Sequence, residues 1–454
     1  MSKSKHEIDM TKGSIFKNII SFAIPLMFAN LLQLFYLAAD LIVVSRWAGN
    51  DAMASVGATN PLTNLLVNVF IGISLGGGVL VSQRFGSNDK EGVYRAVHTS
   101  MFVAVIAGFV GAIIGFAFAR PLLVLMDTPE GAVLEGAVVY MKIIFLSVPA
   151  FIIYNFGAAI LRAVGDTKRP LYILALAGVI NIILNMILVI VFHMGVVGVG
   201  IATLTANYIS MIMVLYALSK TDGVYKLYIK ELKIYKEELK EIIRIGVPAG
   251  IQSSVFSIAN VVIQSSVNSF GAAAVAGCAA AGNIEGFVYT AMNSFYQATV
   301  TAISQNYGAK NENRINKTMS ISLLSVTVVG VVLGLFISVF SKQLLGIYIK
   351  DAPEALAYGI KRVMIMGIPY FLCGIMDVLA GVLRGLGYSS TTAINSMFGA
   401  CGLRLIWIFA ILPLKRLPEV LFLCWPISWI AVIVLHTVAL LIFKKKAIQK
   451  MYEM

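Results

Sequence analysis

Residues 81–97 read VSQRFGSNDKEGVYRAV, and residues 303–319 read ISQNYGAKNENRINKTM. Each is a short polar hinge between two long apolar runs, and Ser82-Gln83 recurs as Ser304-Gln305, 222 positions later. The same offset relates AAILRAVGDTKRP (158–170) to AGVLRGLGYSSTT (380–392), so that Arg162 falls on Arg384 and Gly165 on Gly387. It carries Leu122-Leu123 to Leu344-Leu345, and Pro25 to Pro248 with a slip of one residue. Separate motifs sharing one offset are hard to obtain by chance. The chain is written twice.

What is duplicated is a membrane protein. Charged residues make up 13% of the 454 residues, about half the roughly 25% of a soluble domain. The hydrophobic share is 59% and the mean hydropathy +0.87. Twelve apolar spans can be drawn, near 16–45, 54–82, 96–118, 134–158, 171–193, 197–218, 243–267, 274–300, 318–340, 357–382, 393–414 and 420–443. Each has the roughly 20 residues that cross a hydrocarbon core about 30 Å thick. The expected fold is an all-α integral membrane protein of twelve transmembrane helices in two six-helix lobes. The N-lobe takes residues 1–225 and the C-lobe 226–454, with 219–242 as a basic cytoplasmic linker, either an amphipathic helix or a solvated joint. Six spans per half return the second half to the orientation of the first, so the repeat is parallel. Two such bundles facing each other across a cleft is a transporter plan, with substrate near the midplane.

Net charge +13 raises the question of nucleic acid. The positions of the bases answer it. Of 35 Lys and Arg, 25 fall at the N-terminus, the C-terminal tail and the loops on one side, among them Lys3, Lys5, Arg162 and Arg384. Eight fall on the other side, Lys361 and Arg362 included, while Lys142 and Arg404 lie within spans. This is the positive-inside pattern, and it places both termini in the cytoplasm. The charges set topology and can touch anionic lipid; no aromatic-interleaved basic face for nucleic acid appears. Cys278, Cys373, Cys401 and Cys424 lie in or beside apolar runs without paired spacing and read as small core residues. The polar start runs into an apolar stretch that continues past Pro25, which suits an uncleaved first span.

Polar residues inside the spans mark the candidate sites. Only Asp40, Glu285 and Asp377 among 22 acids fall well inside spans. A charge at mid-bilayer costs at least about 2.5 kcal/mol, so such residues usually line an ion or substrate path. Asn181 and Asn185 are four apart on one face of span 5, Thr203 and Asn207 on one face of span 6, and Asn155 lies near the end of span 4. A carboxylate with neutral oxygens suits Na⁺ or a proton; interhelical hydrogen bonding is the plainer use of Asn and Thr. In the second half, span 7 carries Gln252, Asn260, Gln264 and Asn268, and span 8 places Glu285, Tyr289 and Tyr296 on one face. Carboxylates and aromatic faces together attract lipophilic cations. Pro25 and Pro248 interrupt their helices and are candidate bending points or static kinks.

No catalytic constellation emerges, so the chain is not expected to be an enzyme or to need a cofactor. GISLGGG (72–78) lacks the Lys-Ser/Thr of a phosphate loop, and no HExxH or nucleophile elbow is present. Without a nucleotide site, transport would draw on an ion gradient.

With these residues in view, the sequence resembles the multidrug and toxic compound extrusion (MATE) family, prokaryotic type. Pro25 and Asp40 in span 1, VSQRFG and ISQNYG, LRAVGDT and LRGLG, and NIILN in span 5 carry the resemblance. It implies an Na⁺- or H⁺-coupled antiporter of the prokaryotic cell membrane, exporting cationic, lipophilic compounds by alternating access, and expected to act as a monomer. It also implies a coupling-ion site on Asp40, Asn155, Asn181, Asn185 and Thr203, with any Na⁺ at Asp40. Asn185 stands where that type often has aspartate. For the C-lobe, Glu285, Tyr289, Asp377, Gln252, Asn260 and Gln264 are the candidates for a substrate cavity or secondary coupling. The alternatives are a lipid-linked-precursor flippase of the same superfamily, expected to show two further spans and a cationic cavity, and a membrane scaffold or enzyme. Arg404 is the only clearly intramembrane base that the sequence shows.

Overall fold

The computed structural model describes residues 7–126, 128–350 and 352–453. Lys3 and Lys5 lie outside them. Among the described residues every regular element is helical. The first half comprises α1 (Ile15–Val43), α2 (Asn50–Gly86), α3 (Lys90–Leu125), α4 (Ala132–Ala163), α5 (Lys168–Asn185) and α6 (Gly195–Ser219). The second comprises α7 (Lys236–Asn268), α8 (Ala272–Gly308), α9 (Glu312–Val339), the short α10 (Ser341–Tyr348), α11 (Pro353–Gly367), α12 (Tyr370–Gly385), α13 (Ser389–Ser396), α14 (Leu403–Ile406) and α15 (Pro418–Glu453).

Ten described helical stretches are long and apolar enough to cross a membrane, and α11 with α12, bent by 48° around Ile368-Pro369, makes an eleventh. The twelfth is α8. At 37 residues it is long enough, about 55 Å at 1.5 Å per residue, but Asn283, Glu285, Asn293, Gln297 and Gln305 keep it off the apolar set. It packs against α9, α11 and α12, and nearly every residue from Thr290 to Gly308 is buried. A helix wrapped by protein needs no apolar surface for lipid.

The duplication is written in the backbone as well. Left-handed φ values recur at the 222-residue offset: Gly49 (88°) and Gly271 (96°), Asn88 (56°) and Lys310 (54°), Gly165 (88°) and Gly387 (90°). So do the helix caps. Asp89 accepts from the Gly92 amide at 2.9 Å to start α3, and Asn311 accepts from the Arg314 amide at 3.0 Å to start α9. The VSQRFG and ISQNYG hinges are therefore one turn used twice.

Two compact units result. One unit contains the residues up to Ile8 and Phe28–Val247; the other contains Asp9–Met27 and Pro248–Met454. Both cuts run through a helix, beside Pro25 in α1 and at Pro248 in α7. The physical reason for the second cut is GISLGGG. This stretch lies inside α2, and a Cβ on Gly76 would stand 2.7 Å from the Gly246 nitrogen and 2.9 Å from its Cα. A Cβ on Gly246 would in turn stand 2.7 Å from the Ile73 carbonyl. The start of α7 thus packs backbone to backbone on α2, while Gly77 faces Ser100 of α3 and Gly78 faces Ala159 of α4. In the other unit Arg314 holds the segment before α1, donating to the carbonyls of Met10 (3.1 Å), Lys12 (2.9 Å) and Gly13 (3.0 Å). Gln305 accepts from the Met10 amide at 2.9 Å.

The 219–242 segment is partly irregular and partly helical, with both exposed and buried residues. It has one 3₁₀ turn, Ile229–Glu231, before α7 begins at Lys236. It is held against α3, where His98 Nε2 accepts from the Tyr228 amide (3.1 Å) and Thr99 Oγ1 from the Tyr235 amide (3.1 Å). Tyr225 is fully buried and donates to Glu7 Oε1 at 3.0 Å, and burial pushes its hydroxyl up to about 12.

Candidate functional site

In the first unit, the polar station is assembled by α1 docking on α5. Tyr36 lies in a slot left by Gly178, where a Cβ would collide with the ring, and its hydroxyl donates to the Ala175 carbonyl at 3.1 Å. One turn further along α1, this contact sets Asp40 opposite the end of α5. Asn185 Nδ2 donates to Asp40 Oδ1 and also to Asn181 Oδ1 at 3.3 Å. Asn181 and Asn185 are buried and Asp40 half-buried. The helix geometry changes just past both polar residues: α1 runs into a π-helical turn at Val44–Ala48 and α5 into another at Met186–Val191. Such turns recur at functional positions because they break the regular carbonyl ladder. Val43, Val44, Val189 and, from α6, Val199 form an apolar cluster here.

Asp40, Asn181 and Asn185, expected together from the sequence, are thus brought into one hydrogen-bonded chain. Asn185 Oδ1 and Thr203 Oγ1 are buried and have no hydrogen-bond partner. Each is an acceptor oxygen without a donor, and Asn185 Oδ1 belongs to the same side chain that donates to the Asp40 carboxylate. Asn155 does not join the chain: its amide donates to the Phe151 carbonyl of its own helix at 2.8 Å. Asn207 donates to Ser147 at 3.2 Å. Sequence reasoning missed Tyr36, whose only signal is its place one turn before Asp40.

The second unit distributes its residues differently. Glu285 is bound by Arg362 in a two-pronged pair, Nε to Oε1 at 3.0 Å and Nη2 to Oε2 at 2.8 Å. Both side chains are buried, 6% and 13% exposed. Arg362, counted by the sequence with the loop bases of the far side although inside the span drawn at 357–382, lies within α11, so Glu285 is neutralised by a neighbour. Arg384, also assigned to a loop, is the last-turn residue of α12 and is 7% exposed. It donates to the Tyr296 hydroxyl and, at 2.6 Å, to Gln252 Oε1. Arg404 is therefore one of three buried bases here. The sequence hid the other two because each sits within a turn or two of a helix end.

Of the remaining candidates, Asp377 keeps Oδ2 buried without a partner. Tyr289 is 45% exposed although it shares a face of α8 with buried Glu285 and Tyr296. Asn260 is exposed, and Gln264, also exposed, donates to Asn268 of its own helix at 2.9 Å. Gln252 is the one member of that stripe tied to another helix. The four cysteines are buried and unpaired.

Comparison with known proteins fits this architecture. The MatE family model matches residues 25–187 and 248–409, one block in each half of the duplication. The Probable multidrug resistance protein YoeA of Bacillus subtilis (strain 168) is 29% identical over 402 residues, covering 86% of this chain and 86% of that protein. The Multidrug export protein MepA of Staphylococcus aureus (strain MRSA252) is 22% identical, covering 87% and 90%. A crystal structure described as MATE in complex with MaL6 superimposes with a TM-score of 0.91 at 22% identity, over 100% of both chains. An outward-facing conformation of a multidrug resistance MATE family transporter gives 0.89, again at 22% and 100% of both. With the family model spanning most of both halves, the chain belongs to the MatE family and is a multi-span membrane transporter, not an enzyme.

Proposed function

We propose that the protein is an antiporter of the prokaryotic cell membrane, coupled to Na⁺ or H⁺, that exports small lipophilic cationic compounds by alternating access of its two halves. The observation that carries this reading is the Asp40–Asn185–Asn181 chain, in which Asn185 Oδ1 is left as an open acceptor. A carboxylate retained at that depth is costly unless something binds it. Occupancy by a cation satisfies it, and release restores the cost, so the coupling ion can bias one conformation over another. The multidrug names of the relatives support a broad organic substrate class. Since Glu285 is spent on Arg362, attraction for a cationic substrate in the second unit falls to Asp377. The unit boundaries beside Pro25 and at Pro248 support these prolines as the bending points. Both termini are assigned to the cytoplasm on the charge bias alone.

The test is purified protein in liposomes loaded with a fluorescent lipophilic cation, under an imposed Na⁺ gradient and then a pH gradient. Dye movement driven by one of the two supports the reading and names the ion. Movement that ignores both gradients would overturn it.

A further inference from the structure

Among the described residues no carboxylate forms an ion pair with Arg404. It is 4% exposed, and its Nε donates to Ser428 Oγ at 2.9 Å. The charged group that shares its surroundings is another base, Arg362, which lies 5.2 Å over the same Trp425 ring. Glu285 is engaged by Arg362, and the basic neighbour of Asp377 is Arg384. An arginine is always charged and offers five donors, of which this one uses a single N–H. Leaving such a group unpaired inside a protein is strongly unfavourable.

Its surroundings are built for a ligand with an apolar body. The guanidinium lies 5.7 Å over the Trp425 ring and 6.0 Å over Phe256, and both rings are half-buried. Arg404 occupies the single α-helical turn between two π-helical turns, Met397–Gly402 and Trp407–Ile411. The first unit has its π-helical turns directly after Asp40 and Asn185.

The duplication sharpens the comparison. The offset of 222 carries Thr203 to Trp425 and Asn181 to Leu403, the residue before Arg404. Asp40 falls on Val262 or Ile263. The station that holds a carboxylate and two amides in one half holds a fixed positive charge and no acid in the other.

We propose that Arg404, with Ser428, Trp425 and Phe256, forms an anion site for the carboxylate or phosphate head of an amphiphile. The guanidinium's free donors take the oxyanion and the aromatic rings flank the apolar part. The site stands independently of the ion-coupling reading, and it admits substrates that carry an anionic group.

The test uses the full-length protein in phosphatidylcholine nanodiscs and reads tryptophan fluorescence on adding dodecanoate or its uncharged methyl ester. Wild type is expected to prefer dodecanoate by about tenfold or more, the scale of one charge-assisted hydrogen bond. Arg404→Gln should abolish the preference and Arg404→Lys retain part of it. Ser428→Ala, which only unfixes Nε, should weaken it a few fold and serves if Arg404→Gln fails to fold. A second arm adds phosphatidylglycerol and counts retained lipid by native mass spectrometry. Loss of retention in Arg404→Gln without a dodecanoate preference would identify a lipid headgroup as the source of the anion. Equal behaviour of wild type, Arg404→Gln and Ser428→Ala in both arms, with all three folded, would overturn the proposal. The readout needs no gradient, so its failure is distinguishable from failure of coupled transport.

Discussion

Glu285 is a carboxylate buried in a transporter and would ordinarily be suspected of binding the coupling ion. The structure assigns it a different duty. Arg362 contacts it with two charge-assisted hydrogen bonds of 2.8 and 3.0 Å, and both side chains are almost wholly buried. Removing one partner leaves the other as an isolated charge in a medium that cannot solvate it, at a cost of about 3–5 kcal/mol. Glu285→Gln and Arg362→Gln should therefore each lower the apparent melting temperature of the detergent-solubilised protein, by on the order of 5 °C or more. The double variant Glu285→Gln/Arg362→Gln removes both charges and should recover most of the loss, because no isolated ion remains. Thermal unfolding followed by tryptophan fluorescence, with gel filtration to confirm a monodisperse protein, reads both effects. Single variants that melt with wild type would refute the reasoning. So would a double variant whose loss equals the sum of the singles.

Two further outcomes follow from the packing. Gly76→Ala drives a Cβ into the Gly246 backbone at 2.7 Å and should cost about 1–3 kcal/mol through overpacking. Gly57→Ala on the same helix meets nothing within 4 Å and should stabilise by roughly 0.5–1 kcal/mol; equal melting of the two variants would contradict the close α2–α7 contact. Arg314→Gln removes the donors that hold the carbonyls of Met10, Lys12 and Gly13. Trypsin should then cut after Lys12 several-fold faster than in wild type, and an unchanged rate would show that the clamp does not hold this segment.

How much of this was legible depended on where the partner of each residue lay. Asn181 and Asn185 are one helical turn apart, so their shared face could be read from spacing, while their link to the lone acid in span 1 came from the family resemblance. Glu285 could not be read that way, because its partner is 77 residues distant in the sequence. Lys361-Arg362 reads as a topology-setting pair near the edge of a span unless the fold is known. Arg384 was misplaced for a related reason: the LRGLG turn ends a helix, but the arginine is still inside its last turn and faces Gln252 and Tyr296. The glycines of 72–78 were recognised as no phosphate loop, yet their use, close approach of α2 to α7, α3 and α4, is a tertiary fact. The repeat was the most legible feature, since a tandem duplication reproduces caps and left-handed turns at a fixed interval whatever the packing around them.

The central claim is that Asp40, fixed by Asn185 and Asn181, binds the ion whose gradient drives export. Its most direct test is gradient-driven dye movement in liposomes by Asp40→Asn, with Glu285→Gln/Arg362→Gln alongside as the variant that loses a buried acid elsewhere. Asp40→Asn keeps the shape of the side chain and should fold, yet lose gradient dependence, while the Glu285/Arg362 double variant keeps it. Full gradient-driven movement by a correctly folded Asp40→Asn protein would contradict the claim.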